Sequence, residues 1–172
     1  MTVSVRMHHV GITVSNLERS LAFYRDAFGL EPGMTFQITS GPAQAAALDL
    51  PEHRQRVALM PVGDVVFELI EFTPTRREFD MRQDDVGYAY VCFEVEDLDE
   101  VHARLTERGL KFNSGPMDSG DHEPVAGSKF CILKDPDGKN IEFIQIGPGL
   151  TMEALRRGVA SGASLDNPYV LG

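Results

Sequence analysis

Three side chains in this sequence have chemistry that needs a setting: His9, Glu68 and Glu142. Glu68 stands in the run Val65-Val66-Phe67-Glu68-Leu69-Ile70-Glu71-Phe72, which has the composition of a strand. Its own face would carry Val66, Ile70 and Phe72, and the other face Val65, Phe67 and Leu69, so neither side reads as solvent-facing. A carboxylate placed there must gain an ion-pair partner, take up a proton or bind a metal, because an unmatched buried charge is expensive. Glu142 sits in a similar run, Asn140-Ile141-Glu142-Phe143-Ile144-Gln145, and His9 opens a third. One imidazole and two carboxylates suit a single divalent cation such as zinc, nickel, cobalt or manganese, and leave a coordination position open for catalysis. Taken singly, each has a plainer account: a strand histidine held by a hydrogen bond, a strand glutamate in an ion pair.

An internal repeat groups the three. His9-Val10-Gly11-Ile12-Thr13-Val14-Ser15-Asn16-Leu17 matches Tyr90-Val91-Cys92-Phe93-Glu94-Val95-Glu96-Asp97-Leu98 position for position. Val10, Ile12 and Val14, and likewise Val91, Phe93 and Val95, should face a helix. His9, Gly11 and Thr13, and Tyr90, Cys92 and Glu94, should face something other than core. Asn16 and Asp97 are helix N-caps, Glu100 completes a capping box, and Gly29 and Gly109 stand where helices end. The stripes Leu17, Leu21, Tyr24, Phe28 and Leu98, Val101, Leu105 are core.

Each copy closes with a hairpin. Val57 to Val62 and Val65 to Phe72 flank Gly63-Asp64, and Lys129 to Lys134 and Asn140 to Gln145 flank Asp135-Pro136-Asp137-Gly138. Superposing the hairpins lays Glu68 on Glu142, and the same operation lays His9 on Tyr90. A weaker strand precedes each hairpin, near Met34 to Thr39 and near Lys111 to Asn113. The order predicts an α+β protein of two βαβββ modules, residues 1–78 and 79–147, followed by an extension over 148–172 with a short helix from Met152 to Arg157 and a tail. Residues 73–86 read as the linker.

The remaining candidates are weaker. His8 should point to the strand face opposite His9, His102 lies on a helix surface, and His53 sits in a polar loop. His122, in Ser119-Gly120-Asp121-His122-Glu123-Pro124, lies on a loop able to fold over a ligand. Tyr90, Cys92 and Thr13 are expected to line the substrate pocket, Cys92 without the adjacent base that marks a nucleophile. The insert from Gly41 to Arg56 should shape the pocket mouth.

Composition narrows the partners. The 172 residues carry 42% hydrophobic and 24% charged side chains, which suits a folded protein. A net charge of -10 repels nucleic acid and anionic membrane, which leaves a small molecule as the expected partner. No apolar run is long enough to span a bilayer and no leader pattern opens the chain, so the cytoplasm is the expected location. Its two cysteines, Cys92 and Cys131, read as reduced small hydrophobes.

These segments resemble the vicinal oxygen chelate superfamily of glyoxalases, bleomycin-resistance proteins and extradiol dioxygenases. The resemblance rests on the His8 to Glu18 opening, on Tyr24-Arg25-Asp26-Ala27-Phe28-Gly29-Leu30, on Phe93 to Asp99, and above all on Asp135-Pro136-Asp137-Gly138-Lys139-Asn140-Ile141-Glu142-Phe143. It implies a cup-shaped, eight-stranded mixed sheet with one divalent metal held at His9, Glu68, Tyr90 and Glu142. Tyr90 departs from the family, whose metal-dependent members usually carry histidine there. The activity implied first is a glyoxalase-like isomerase or lyase, working by proton transfer next to a carbonyl with Glu142 or Glu68 as the base. A metal-free, bleomycin-resistance-like binding protein is the alternative. An extradiol dioxygenase comes third, since its second histidine would fall at Tyr90. Family members often pair as homodimers.

The Tyr90 departure generates a prediction. If the four positions share one ion, Tyr90→His should tighten divalent-metal binding at least about tenfold, equivalent to ~1.4 kcal/mol. Competition titration against a chromophoric chelator reads this, and unchanged affinity in a folded variant counts against the shared site.

Overall fold

The computed structural model describes residues 5–75, 84, 87, 89–121 and 125–161. His122 and the tail from 162 onward lie outside the described residues. The chain forms two compact units. One contains the elements up to Thr73 together with Asp135–Asp137, and the other contains the elements from Val91 onward.

In the first unit β1 (His9–Thr13), α1 (Leu17–Phe28), β2 (Met34–Thr39), α2 (Pro42–Ala47), β3 (Arg54–Val62) and β4 (Val65–Thr73) follow in order. The sheet runs β1-β4-β3-β2, with β1 parallel to β4 and the other pairs antiparallel. Asn16 caps α1 by accepting from the Arg19 amide at 2.8 Å, and Gly29 closes it at φ 70°. A second acceptor comes from the sheet: Glu71 Oε2 takes the Leu17 amide at 2.6 Å. The buried stripe of α1 is Leu17, Ser20, Tyr24 and Ala27, so the expected Leu21 and Phe28 lie at its rim. Small Ser20 and Ala27 let the helix approach the sheet closely, where Tyr24, Met60, Leu69 and Val14 are almost fully shielded.

The second unit repeats the plan with β5 (Val91–Glu94), α3 (Leu98–Glu107), β6 (Met117–Asp118), β7 (Lys129–Lys134) and β8 (Asn140–Gln145), in sheet order β5-β8-β7-β6. Asp97 accepts from the Glu100 amide at 2.9 Å, and Gln145 Oε1 takes the Leu98 amide at 3.0 Å, the counterpart of Glu71 on Leu17. Leu98, Leu105, Leu133, Ile141 and Cys131 form its core. A 3₁₀ turn, Pro148–Leu150, leads into α4, Met152–Ser161, longer than the expected helix. Both cysteines are free. No helix among the described residues is long and apolar enough to cross a membrane.

The expected α+β fold of tandem βαβββ modules is present, with its eight strands in two mixed sheets of four, one in each unit. Two details differ from expectation. β3 begins at Arg54 rather than Val57, because Gln55 and Arg56 continue the antiparallel ladder with Phe72 and Glu71. The weak strand near Lys111 reduces to a single bridge, Phe112 to Leu133, with the true edge strand at Met117–Asp118. Gly115-Pro116 interrupts the ladder between them, proline lacking the amide a ladder needs.

Within the first unit, the Tyr24 hydroxyl donates to Asp135 Oδ2 at 3.1 Å in a buried setting. Tyr24→Phe should cost about 1 kcal/mol of stability in urea unfolding followed by circular dichroism, with the m-value unchanged.

Candidate functional site

In the first unit the parallel register sets Gly11 against Glu68 and Thr13 against Ile70. His9, Gly11 and Thr13 therefore share a face with Val66, Glu68 and Ile70, on the side of the sheet opposite Ile12, Phe67 and Leu69. The antiparallel register adds Gln55, Val57 and Leu59 from β3 to that face, and Phe36 and Ile38 from β2. No lysine or arginine falls on it: Arg54 and Arg56 pair with Thr73 and Glu71 on the helix side.

His9 Nε2 lies 3.8 Å from Glu68 Oε2, too far for a hydrogen bond. The glutamate side chain is 17% exposed and the imidazole 53%, so the carboxylate is shielded while the ring remains open. Two donors on one ion with bonds of about 2.0–2.2 Å sit roughly 3–4 Å apart, and this pair has that spacing. A residue with a Cβ at position 11 would place it 3.0 Å from Glu68 Oε2, so the missing side chain of Gly11 is the room the carboxylate occupies. His9 Nδ1 is 2.9 Å from His8 Nδ1, and the two rings meet edge-on at 5.2 Å. His8 thus does not turn away from His9 as strand alternation implied, because it precedes the first strand residue. That contact engages Nδ1 of His9 and leaves Nε2 directed toward Glu68.

In the second unit the same register sets Cys92 against Glu142. Ile132 pairs with Glu142 from β7. Burial pushes the Glu142 carboxyl above its ordinary range, and a hydrogen bond from the Cys92 thiol holds it partly down. The thiol itself is pushed far up, first by loss of hydration, then by its bond to Glu142 and the charges of Glu142 and Glu94. Cys92 is therefore a protonated donor, which fits the expectation that it is no nucleophile. Behind the sheet, burial and the Glu142 charge push Cys131 up to about 11. Tyr90 is 40% exposed, and its phenol is raised by the Glu142 charge and by burial. It stays neutral, a hydrogen-bond donor rather than an anionic ligand.

The first unit thus places His9, Glu68 and Thr13 on one sheet face, and the second places Glu142 beside Cys92 and within electrostatic reach of Tyr90. Among the described residues, no group of three or more histidine, cysteine or acidic side chains is placed to bind a metal. His102 packs its ring 4.5 Å from that of Phe112, a structural role.

His53 lies in the loop before β3, as read, but it is buried rather than open to solvent. It is 7% exposed, and its amide donates to Ser40 Oγ at 2.6 Å. Its Nδ1 lies 2.8 Å from the Pro51 carbonyl and its Nε2 lies 2.8 Å from Gln55 Nε2. Sequence reasoning placed Gly11 on this face without its role of making room for Glu68, and it missed the pair Glu71 and Gln145. The latter was accessible, since both stand three residues beyond the repeat-related glutamates.

The fold and the paired acids define a class: a duplicated βαβββ protein with a glutamate on the face away from the helix in the last strand of each copy. Residues 6–143 match the profile of the Glyoxalase/Bleomycin resistance protein/Dioxygenase superfamily. The chain belongs to this family, also called the vicinal oxygen chelate superfamily. It is 28% identical over 155 residues to a 2-epi-5-epi-valiolone epimerase from Actinomyces sp., covering 87% of this chain and 84% of that protein. It is 30% identical over 146 residues to a lactoylglutathione lyase from Neisseria meningitidis, covering 82% and 91%. A glyoxalase family protein from Bacillus cereus shares the fold with a TM-score of 0.67 at 24% identity, over 84% of this chain and 96% of that one.

The thiol bond to Glu142 gives a pH prediction for the metal-free protein. Cys92→Ala removes the donor that lowers the Glu142 pKa and leaves burial acting alone. The carboxyl should then titrate at higher pH than in the wild type, read by ¹³C NMR of labelled glutamate. A folded-state pKa raised by burial also means that stability falls as pH rises from the unfolded value through the folded one, and the variant should widen that window upward.

Proposed function

We propose that this chain is a metal-dependent isomerase or lyase that moves a proton on the carbon next to a carbonyl of a small molecule. The observation that carries the reading is the matched placement of Glu68 opposite Gly11 and Glu142 opposite Cys92, two acids in one register on duplicated sheets. His9 and Glu68 would hold the metal, Glu142 would complete or face it, and Tyr90 would be a weak fourth position. When bound, a divalent ion polarises a carbonyl and stabilises negative charge developing on its oxygen.

Glu142 is the base of this reading. Its raised pKa brings the carboxyl nearer to neutrality, where a general base accepts and returns a proton efficiently. The Cys92 thiol donates to the ionised form and so keeps a fraction of it available. The apolar neighbour Ile132 limits water around the carboxylate. Glu68, shielded and close to His9, is better placed to hold than to shuttle. Both named relatives, an epimerase and a lyase, are compatible with one such step. The same reading takes the working form to be a homodimer in the cytoplasm.

A second reading has one observation in its favour. Tyr90 is kept neutral where metal-dependent members carry histidine, and a set lacking that donor suits a metal-free binding protein. Metal content separates the two.

Protein purified without chelator should carry close to one divalent ion per chain by elemental analysis. Glu142→Gln should slow solvent-deuterium exchange into the C–H next to the carbonyl of small ketone and acyl-thioester probes by about 10²–10⁴-fold, followed by ¹H NMR. Absence of metal together with unaltered exchange in the variant would sink the enzymatic reading.

A further inference from the structure

Gln55 lies on β3, on the same sheet face as Glu68, and is 6% exposed. The Pro51 carbonyl can only accept, so the contact at 2.8 Å makes His53 Nδ1 the N–H of the ring. His53 Nε2 is then an acceptor, and the Gln55 amide nitrogen 2.8 Å away donates to it. The backbone of His53 is pinned in turn by paired hydrogen bonds with Ser40, itself 4% exposed. This chain of contacts fixes which way the Gln55 amide points. Its nitrogen is occupied by His53, and among the described residues its oxygen, Oε1, has no hydrogen-bond partner. Nor is Oε1 one of the fully enclosed unpartnered atoms, of which Ser20 Oγ is the example. It is an acceptor held in one orientation inside a largely apolar surround, and it is not fully enclosed.

The rest of the face sets the kind of group it would meet. Phe72, paired with Gln55, and Val57, Leu59, Ile38 and Phe36 supply apolar area. Among the described residues of this face there is no lysine or arginine, and at the end remote from His9 the polar atom on offer, Gln55 Oε1, is an acceptor. Leu59 pairs with Glu68, so Gln55 stands about 13 Å further along β3 at roughly 3.3 Å per residue. That backbone spacing is on the scale of a small molecule of about one substituted ring lying between the two side chains.

Resting on the function proposed above, we infer that Gln55 is a specificity-determining residue that accepts a hydrogen bond from a neutral hydroxyl at the end of the substrate remote from the reacting carbon. The substrate class is a neutral, hydroxylated carbonyl compound of about one ring, in preference to an anionic thioester conjugate. Removing His53 or Ser40 would act through Gln55, by freeing its amide to turn.

The test uses the full chain purified without chelator and three probes: scyllo-inosose, a polyhydroxylated cyclohexanone; cyclohexanone itself; and S-lactoylglutathione. Binding is measured by isothermal titration calorimetry. The wild type should bind the inosose at least about tenfold more tightly than either other probe, a comparison that needs no variant. In Gln55→Met, which keeps the side-chain volume and removes the acceptor, the inosose-to-cyclohexanone preference should fall about five- to tenfold, the effect of one neutral hydrogen bond. Tighter binding of S-lactoylglutathione, no binding of the inosose, or an unchanged preference in the variant overturns the inference. Deuterium exchange into the bound probe reads the catalytic proposal separately. Inosose selectivity lost in Gln55→Met without Glu142-dependent exchange leaves the specificity role standing and removes the catalysis, whereas exchange on S-lactoylglutathione alone does the reverse.

Discussion

A carboxylate fixed midway along a strand, among aliphatic neighbours, can remain ionised only if something replaces the water it has lost. This chain makes that demand twice, at Glu68 and Glu142, and meets it differently each time. Around Glu68 the sheet supplies space, through Gly11, and a nearby imidazole that does not neutralise it by direct bonding. Around Glu142 the corresponding space holds the Cys92 thiol, which donates one weak hydrogen bond and leaves the carboxyl partly unpaid for its burial. The first arrangement suits a cation, and the second suits an exchangeable proton. Duplication provides two equivalent positions, and differences in the adjoining strand, Gly11 against Cys92 and His9 against Tyr90, make them unequal.

The strands that carry these acids also hold the helices in place. On β4, Glu68 faces away from α1 while Glu71, three residues on and therefore on the other side of the pleat, accepts the Leu17 amide. On β8, Gln145 does the same for Leu98. Free amides at a helix start are satisfied here by both a local cap and a side chain from the sheet, so the helix start and the outward acid are registered to the same strand. A slip of one residue would exchange the faces and lose both at once.

Much of this was readable in the sequence, because the repeat converts weak local signals into paired ones. The alternation around His9 and Tyr90, the Asn16 and Asp97 caps and the hairpin turns gave the element order, and the family resemblance agrees with the matched superfamily. What escaped reading depended on contacts remote in sequence or on local chain direction. His53 looks like a loop histidine among polar residues, and only the return of the chain past Ser40 buries it. His8 was assigned a face by extrapolating strand geometry one residue beyond where the strand begins. The helix α2 escaped because a six-residue, alanine-rich segment has too few apolar contrasts to show a period. The edge strand was displaced to Met117 because glycine and proline broke the ladder first.

Asp135–Asp137 has a consequence for how the chain can be divided. These residues lie at the tip of the last hairpin in the sequence, yet they are packed with the opening elements: Asp137 takes hydrogen bonds from the Ser15 amide and hydroxyl and pairs with Arg19, while Asp135 accepts from Tyr24. The boundary between the halves is therefore interleaved rather than a single cut. A polypeptide ending after the fourth strand would lack the acidic tip that its first helix uses, and could regain those contacts only from a second molecule.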